Sequence, residues 1–155
     1  MYRGSLVFFA GPLLLVAALS CGDPSSSFVR DPTQPPSTAA DFQPIIHTLD
    51  GRHLRFSAGG FEPNVVEHCR EDGGRHATSI FELSAITPMG QGESLCPEFS
   101  GRVQRLELSF PVRPAQKVSL HCEGGCVVPG GYYPPLDTDV RVAWSQIVYI
   151  EFRRN

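Results

Sequence analysis

From Phe42 onward, apolar and polar residues alternate in short runs separated by glycine, proline and aspartate, which is the period of strands and not of helices. The clearest unit runs Ile45-Ile46-His47-Thr48-Leu49, then Asp50-Gly51, then Arg52-His53-Leu54-Arg55-Phe56. Asp-Gly favours the tight type I′ hairpin loop, in which both central residues take positive φ. That loop predicts Leu49 opposite Arg52, His47 opposite Leu54 and Ile45 opposite Phe56. One face would then carry Ile45, Leu49, Leu54 and Phe56 with His47 among them, and the other Thr48, His53 and Arg55 beside Ile46.

The same alternation predicts strands over Val65 to Cys69, Ser79 to Ile86, Val103 to Val112, Lys117 to Cys122, Val140 to Trp144 and Ile147 to Phe152. Leu106-Glu107-Leu108-Ser109-Phe110 alternates best, and Pro111 removes a ladder donor, marking a strand end or an edge. Turns are expected at Glu71 to Arg75, Gly90 to Glu93 and Gly130-Gly131. About seven or eight short antiparallel strands with no run of helical period describe an all-β sandwich or barrel-like domain over residues 42–155.

Composition agrees with that class. With 15 Gly and 14 Pro the chain is rich in turn residues, and a hydrophobic content of 41% suffices for one modest core. A formal charge of -3 argues against a nucleic-acid partner. Arg52, Arg55, Arg102, Arg105 and Arg113 are scattered through apolar alternation, as solvated strand faces are.

The N-terminus has a different character. Arg3 is followed by an uncharged apolar stretch from Leu6 to Leu19, broken only at Gly11 and Pro12. It is too short for the roughly 20 helical residues that cross a bilayer core, and it suits the apolar region of a signal peptide, about 7 to 15 residues. It ends in Ala18-Leu19-Ser20-Cys21, which resembles the lipobox of bacterial lipoproteins. The resemblance implies a signal peptide over residues 1–20, cleavage before Cys21, diacylation of the Cys21 sulfur and often acylation of the new amine. The lipid bilayer would then be a partner through that anchor. Gly22 is not the aspartate that marks inner-membrane retention in enteric bacteria, which points to the outer membrane, on its periplasmic or surface face. An ordinary secretory cut after Ala18 is the alternative, because Val16-Ala17-Ala18 also offers small residues. Residues 21–41 are rich in Pro, Ser and Thr and read as a flexible tether.

Cysteine parity fits this arrangement: of five cysteines, setting Cys21 aside leaves Cys69, Cys96, Cys122 and Cys126 in a chain that has left the cytoplasm. Cys122-Glu123-Gly124-Gly125-Cys126 puts a glycine-bearing loop between two apolar strands, so Cys122 is expected to pair with Cys126 across a hairpin, and Cys69 with Cys96 by remainder. A metal site is the sharper alternative, since His68 precedes Cys69 and His121 precedes Cys122. Successive strand residues point to opposite faces, so neither dipeptide turns both side chains to one ion, and no metal or cofactor is expected.

No Gly-x-Ser-x-Gly presents a nucleophile, and Asp137-Thr138-Asp139 lacks further oxygen ligands and reads as a turn. Gly130 to Pro135 holds Tyr132 and Tyr133, whose rigid amphipathic rings make it a candidate binding loop, although the same rings could cap the core. The chain is thus expected to be a lipid-anchored envelope module without catalysis, which binds an envelope protein or glycan or serves a structural role. A small secreted hydrolase or metal-dependent enzyme is the alternative, to be distinguished by a pocket gathering histidines and acids.

Overall fold

The computed structural model of the chain describes residues 41–122 and 126–155. Cys21 and the segments expected as leader and tether, up to residue 40, lie outside the described residues. The described chain forms eleven strands: β1 (Phe42–Thr48), β2 (His53–Arg55), β3 (Phe61–Glu62), β4 (Val65–Cys69), β5 (Arg75–Ser79), β6 (Ala85–Glu93), β7 (Arg102–Ser109), β8 (Gln116–Leu120), β9 (Gly130–Tyr133), β10 (Thr138–Arg141) and β11 (Ile147–Arg154). Eight of them make one antiparallel sheet in the order β2-β1-β11-β6-β7-β8-β4-β5, and β10-β9-β3 make a second, smaller sheet. The fold is all-β, as the alternation predicts.

A single core joins the two sheets. Phe42, Ile46, Leu54, Ile86, Leu106, Leu108, Val118 and Ile150 fill the inner face of the large sheet, and Phe61 brings the small sheet onto it. Phe61 meets Phe152 edge-on at 6.2 Å and Phe56 at 5.5 Å between ring centroids. Trp144, expected at the end of a strand, lies in a short 3-10 turn over Trp144–Gln146 and buries its ring in the same core.

The first hairpin differs from its predicted register by one residue. Ile46 lies opposite Leu54 and His47 opposite His53. The reason lies in the turn: Gly51 has φ 82° while Asp50 keeps a negative φ, so the Asp-Gly pair cannot make a type I′ loop. Instead Gly51 N donates to Thr48 O at 3.0 Å and Thr48 N to Arg52 O at 3.0 Å, a longer loop closed by a left-handed glycine. A one-residue slip exchanges the two faces of a strand. His47 therefore leaves the apolar face and comes to lie beside His53, and Ile46 enters the core.

Other boundaries move as well: the strands expected over Val103 to Val112, Lys117 to Cys122 and Val140 to Trp144 end at Ser109, Leu120 and Arg141. The segment predicted as one strand from Ser79 to Ile86 is two strands joined by a 3-10 turn at Ile80–Glu82, whose first free amide, Phe81 N, is capped by the Ser79 hydroxyl at 3.3 Å. Gly90 to Glu93, expected as a turn, continues β6, with a bulge between Pro88 and Gln91 absorbing the irregularity. Gly130-Gly131, also expected as a turn, opens β9 between β3 and β10, where the absence of side chains lets three backbones come together.

Candidate functional site

The four described cysteines and three histidines gather at one flank of the large sheet, where β4 lies between β5 and β8. Along β4, Val66 and His68 point into the core while Glu67 and Cys69 leave by the other face, so the His68-Cys69 dipeptide is split as strand geometry requires. His68 is fully buried, and its Nε2 lies 2.9 Å from the Thr78 hydroxyl. Burial, with Arg70 and His76 nearby, pulls its pKa down to about 4. The imidazole is therefore neutral near pH 7, a packed polar group and not a charged one.

On the opposite face Cys69 is bonded to Cys96, with Cα atoms 5.4 Å apart. The segment carrying Cys96 is held across the sheet by Leu95 N donating to the Ser119 hydroxyl at 2.9 Å. His121 follows β8 onto this face: its N–H donates to Glu67 O at 2.9 Å, and its ring meets Phe99 edge-on at 5.1 Å. A ring nitrogen of His121 and the two sulfurs of the Cys69–Cys96 bond lie within 4.8 Å of one another. A disulfide offers no thiolate, so in this oxidised form the trio is a covalent staple packed under an imidazole.

Cys122 is bonded to Cys126, with Cα atoms 4.8 Å apart, but not across a hairpin. β8 ends at Leu120 and belongs to the large sheet, whereas the next strand, β9, belongs to the small one. The bond instead closes a loop where the chain crosses between sheets.

That crossing opens a groove. Strand pairing between β4 and β8 is confined to His68 with Leu120 and Cys69 with Ser119. Beyond these pairs and the His121–Glu67 hydrogen bond the chains diverge around a space of about 450 Å3, with Glu62 to Glu67 on one wall and Leu120, His121, Cys122 and Val127 on the other. Val65 and Val127 are 42% and 48% exposed. Glu62 is paired with Arg141 at 2.9 Å, which joins the groove to the small sheet. A second hollow, lined by Glu67, Arg75, His76, Ala77 and His121, shares Glu67 and His121 with the first. The groove thus offers strand backbone, valine side chains, carboxylates and one imidazole. None of the described residues lining it carries a hydroxyl or a free thiol.

The two tyrosines part ways. Tyr133 packs on the core, 5.7 Å from the Phe56 ring, while Tyr132 is 44% exposed and donates its hydroxyl to Asp137 at 2.6 Å. Asp137 sits at positive φ, 50°, ending the 3-10 turn Pro134–Leu136. Tyr132 and Tyr133 therefore stand on β9 and not on a free loop, and only Tyr132 faces solvent. The juxtaposition of Glu67 with His121, far apart in sequence, has no local signal that sequence reasoning could have used. No family model, no curated protein and no solved structure matches this chain.

Proposed function

We propose that this chain is a lipid-anchored envelope protein in which Cys21 carries the acyl chains and the disulfide-stapled β domain, held off the bilayer by the tether, is a non-enzymatic binding module. The observation that carries the reading is the cysteine pairing: Cys69–Cys96 and Cys122–Cys126 account for four of the five cysteines, and the fifth is the one at the end of the lipobox-like segment. Two or three acyl chains, at about 0.8 kcal/mol per buried methylene, make a firm anchor.

The groove beside Cys122 favours a protein partner over a glycan. Its walls are strand backbone and valines, features that match an extended peptide adding to a sheet edge, and no aromatic platform for a sugar ring is present among its described lining residues. It also brings only one imidazole together with Glu62, already engaged by Arg141, and Glu67, which gives the hydrolase reading little to work with.

The anchor is tested by labelling cells with palmitate and fractionating them, for the wild-type chain and Cys21→Ala. The wild type is expected to be labelled and to sediment with membranes, and the variant to be unlabelled and soluble. Equal absence of label from both, with both soluble, would overturn the reading.

A further inference from the structure

The second place where ligating side chains converge lies on the opposite region of the large sheet, on the face turned away from the core. β1 and β2 put His47 and His53 opposite each other, and their Nδ1 atoms are 2.7 Å apart. On the far side of the His47 ring, Nε2 lies 3.0 Å from Glu151 Oε2 on the neighbouring strand β11. Arg153 holds that same carboxylate through two contacts at 3.1 and 3.3 Å. Tyr149, the partner of His47 in the β1–β11 ladder, stacks on its ring at 4.1 Å with the planes 13° apart.

The hydrogen-bond roles follow from the chemistry. A carboxylate only accepts, so Nε2 of His47 carries a proton, and in the neutral ring Nδ1 is left with its lone pair. That lone pair is aimed at His53, whose ring is exposed at the end of the hairpin. Metal-bound histidines characteristically donate their second ring nitrogen to a carboxylate, which fixes the tautomer and the ring plane. Here the carboxylate, the stacking ring and the converging second imidazole are already in position.

We propose that His47 and His53 form a binding site for a divalent transition ion, Zn2+ or Cu2+, ligated through the two Nδ1 atoms with water completing the coordination, and that Glu151 is the positioning residue for His47. Bond lengths of about 2.0 to 2.1 Å at a tetrahedral angle separate two ligating nitrogens by roughly 3.3 Å. The two Nδ1 atoms must therefore part by about half an ångström and the His53 ring must turn so that both lone pairs meet at a point off the line between them, a rearrangement that its exposed position on the short strand β2 permits. Imidazole donors suit both ions, and the general order of affinities puts Cu2+ ahead of Zn2+. The site is independent of the groove and of the lipid anchor.

The test uses the full-length chain with its disulfides intact and Cys21→Ala in every arm. Calorimetric titration with zinc chloride is expected to show one equivalent bound, at least tenfold weaker binding in His53→Ala, a loss of about 10- to 100-fold in Glu151→Gln, and no change in His76→Ala. Absence of binding, binding by His53→Ala as tight as by the parent, or an equal loss in His76→Ala would each overturn the proposal. Cu2+ added to the parent chain gives a second measurement that needs no further substitution. Its electron paramagnetic resonance spectrum should show two coordinated imidazole nitrogens, and a spectrum without them also overturns the site.

Discussion

His68 and Thr78 share a hydrogen bond of 2.9 Å from adjacent strands, Nε2 to Oγ1, with the imidazole wholly removed from solvent. Its burial has a thermodynamic consequence. The folded-state pKa of about 4 lies below the ordinary value of 6.5, so between those two values the unfolded chain binds a proton that the folded chain does not. The stability contributed by neutral His68 is therefore complete above pH 6.5 and is lost as the pH falls toward 4. Its full size is about 3 kcal/mol. Urea unfolding at a series of pH values should show wild type losing up to about that much more than His68→Gln between pH 7 and pH 4. Parallel losses in the two proteins would show that His68 is not desolvated as described.

The two disulfides should differ in their contribution to stability. Cys69–Cys96 spans 27 residues and Cys122–Cys126 only 4. Loop-closure entropy assigns about 3.5 kcal/mol to the longer and about 2 kcal/mol to the shorter. Cys69 and Cys96 are also fully buried, so replacing them leaves a cavity in addition. Denaturant melts of the Cys69→Ala/Cys96→Ala and Cys122→Ala/Cys126→Ala double variants should rank them in that order.

Two glycines separate backbone conformation from crowding. Gly51 has φ +82° and open space where a Cβ would sit, so Gly51→Ala is expected to cost only the left-handed penalty, about 1 to 2 kcal/mol, and Gly51→Asn less. At Gly131, φ is +156° and an added Cβ would lie on the carbonyl oxygen of Gly60, across the β3–β9 pair. Gly131→Ala must push two backbones apart and should cost about 4 kcal/mol or more. Thermal unfolding of the three variants distinguishes these costs, and similar melting temperatures for Gly51→Ala and Gly131→Ala would contradict the close approach.

Much of this architecture was legible in the alternation of residues. Val65 to Cys69 is a strand with the predicted bounds, whereas the strand expected over Val103 to Val112 stops at Ser109, two residues before Pro111, whose missing donor marks a strand end or an edge. The hairpin register was not legible, since Asp-Gly suits more than one turn and the choice is made by burying Ile46 against Leu54, a tertiary effect. Gly130-Gly131 carries the composition of a turn, and only the third strand beside it shows why glycine is needed within a sheet. The groove and the His47–His53–Glu151 array were invisible for the same reason: each is assembled from strands distant in sequence, and the second depends on the register that the Asp-Gly motif misassigned.

Lipidation of Cys21 as the first residue of the mature protein, proposed above, is checked by mass spectrometry of the N-terminal peptide from membranes of the native host. The expected peptide begins at Cys21 with a diacylglyceryl group on sulfur, with or without a further acyl group on its amine. A peptide beginning at Leu19, with Cys21 unmodified, would show an ordinary secretory cut after Ala18 and contradict it.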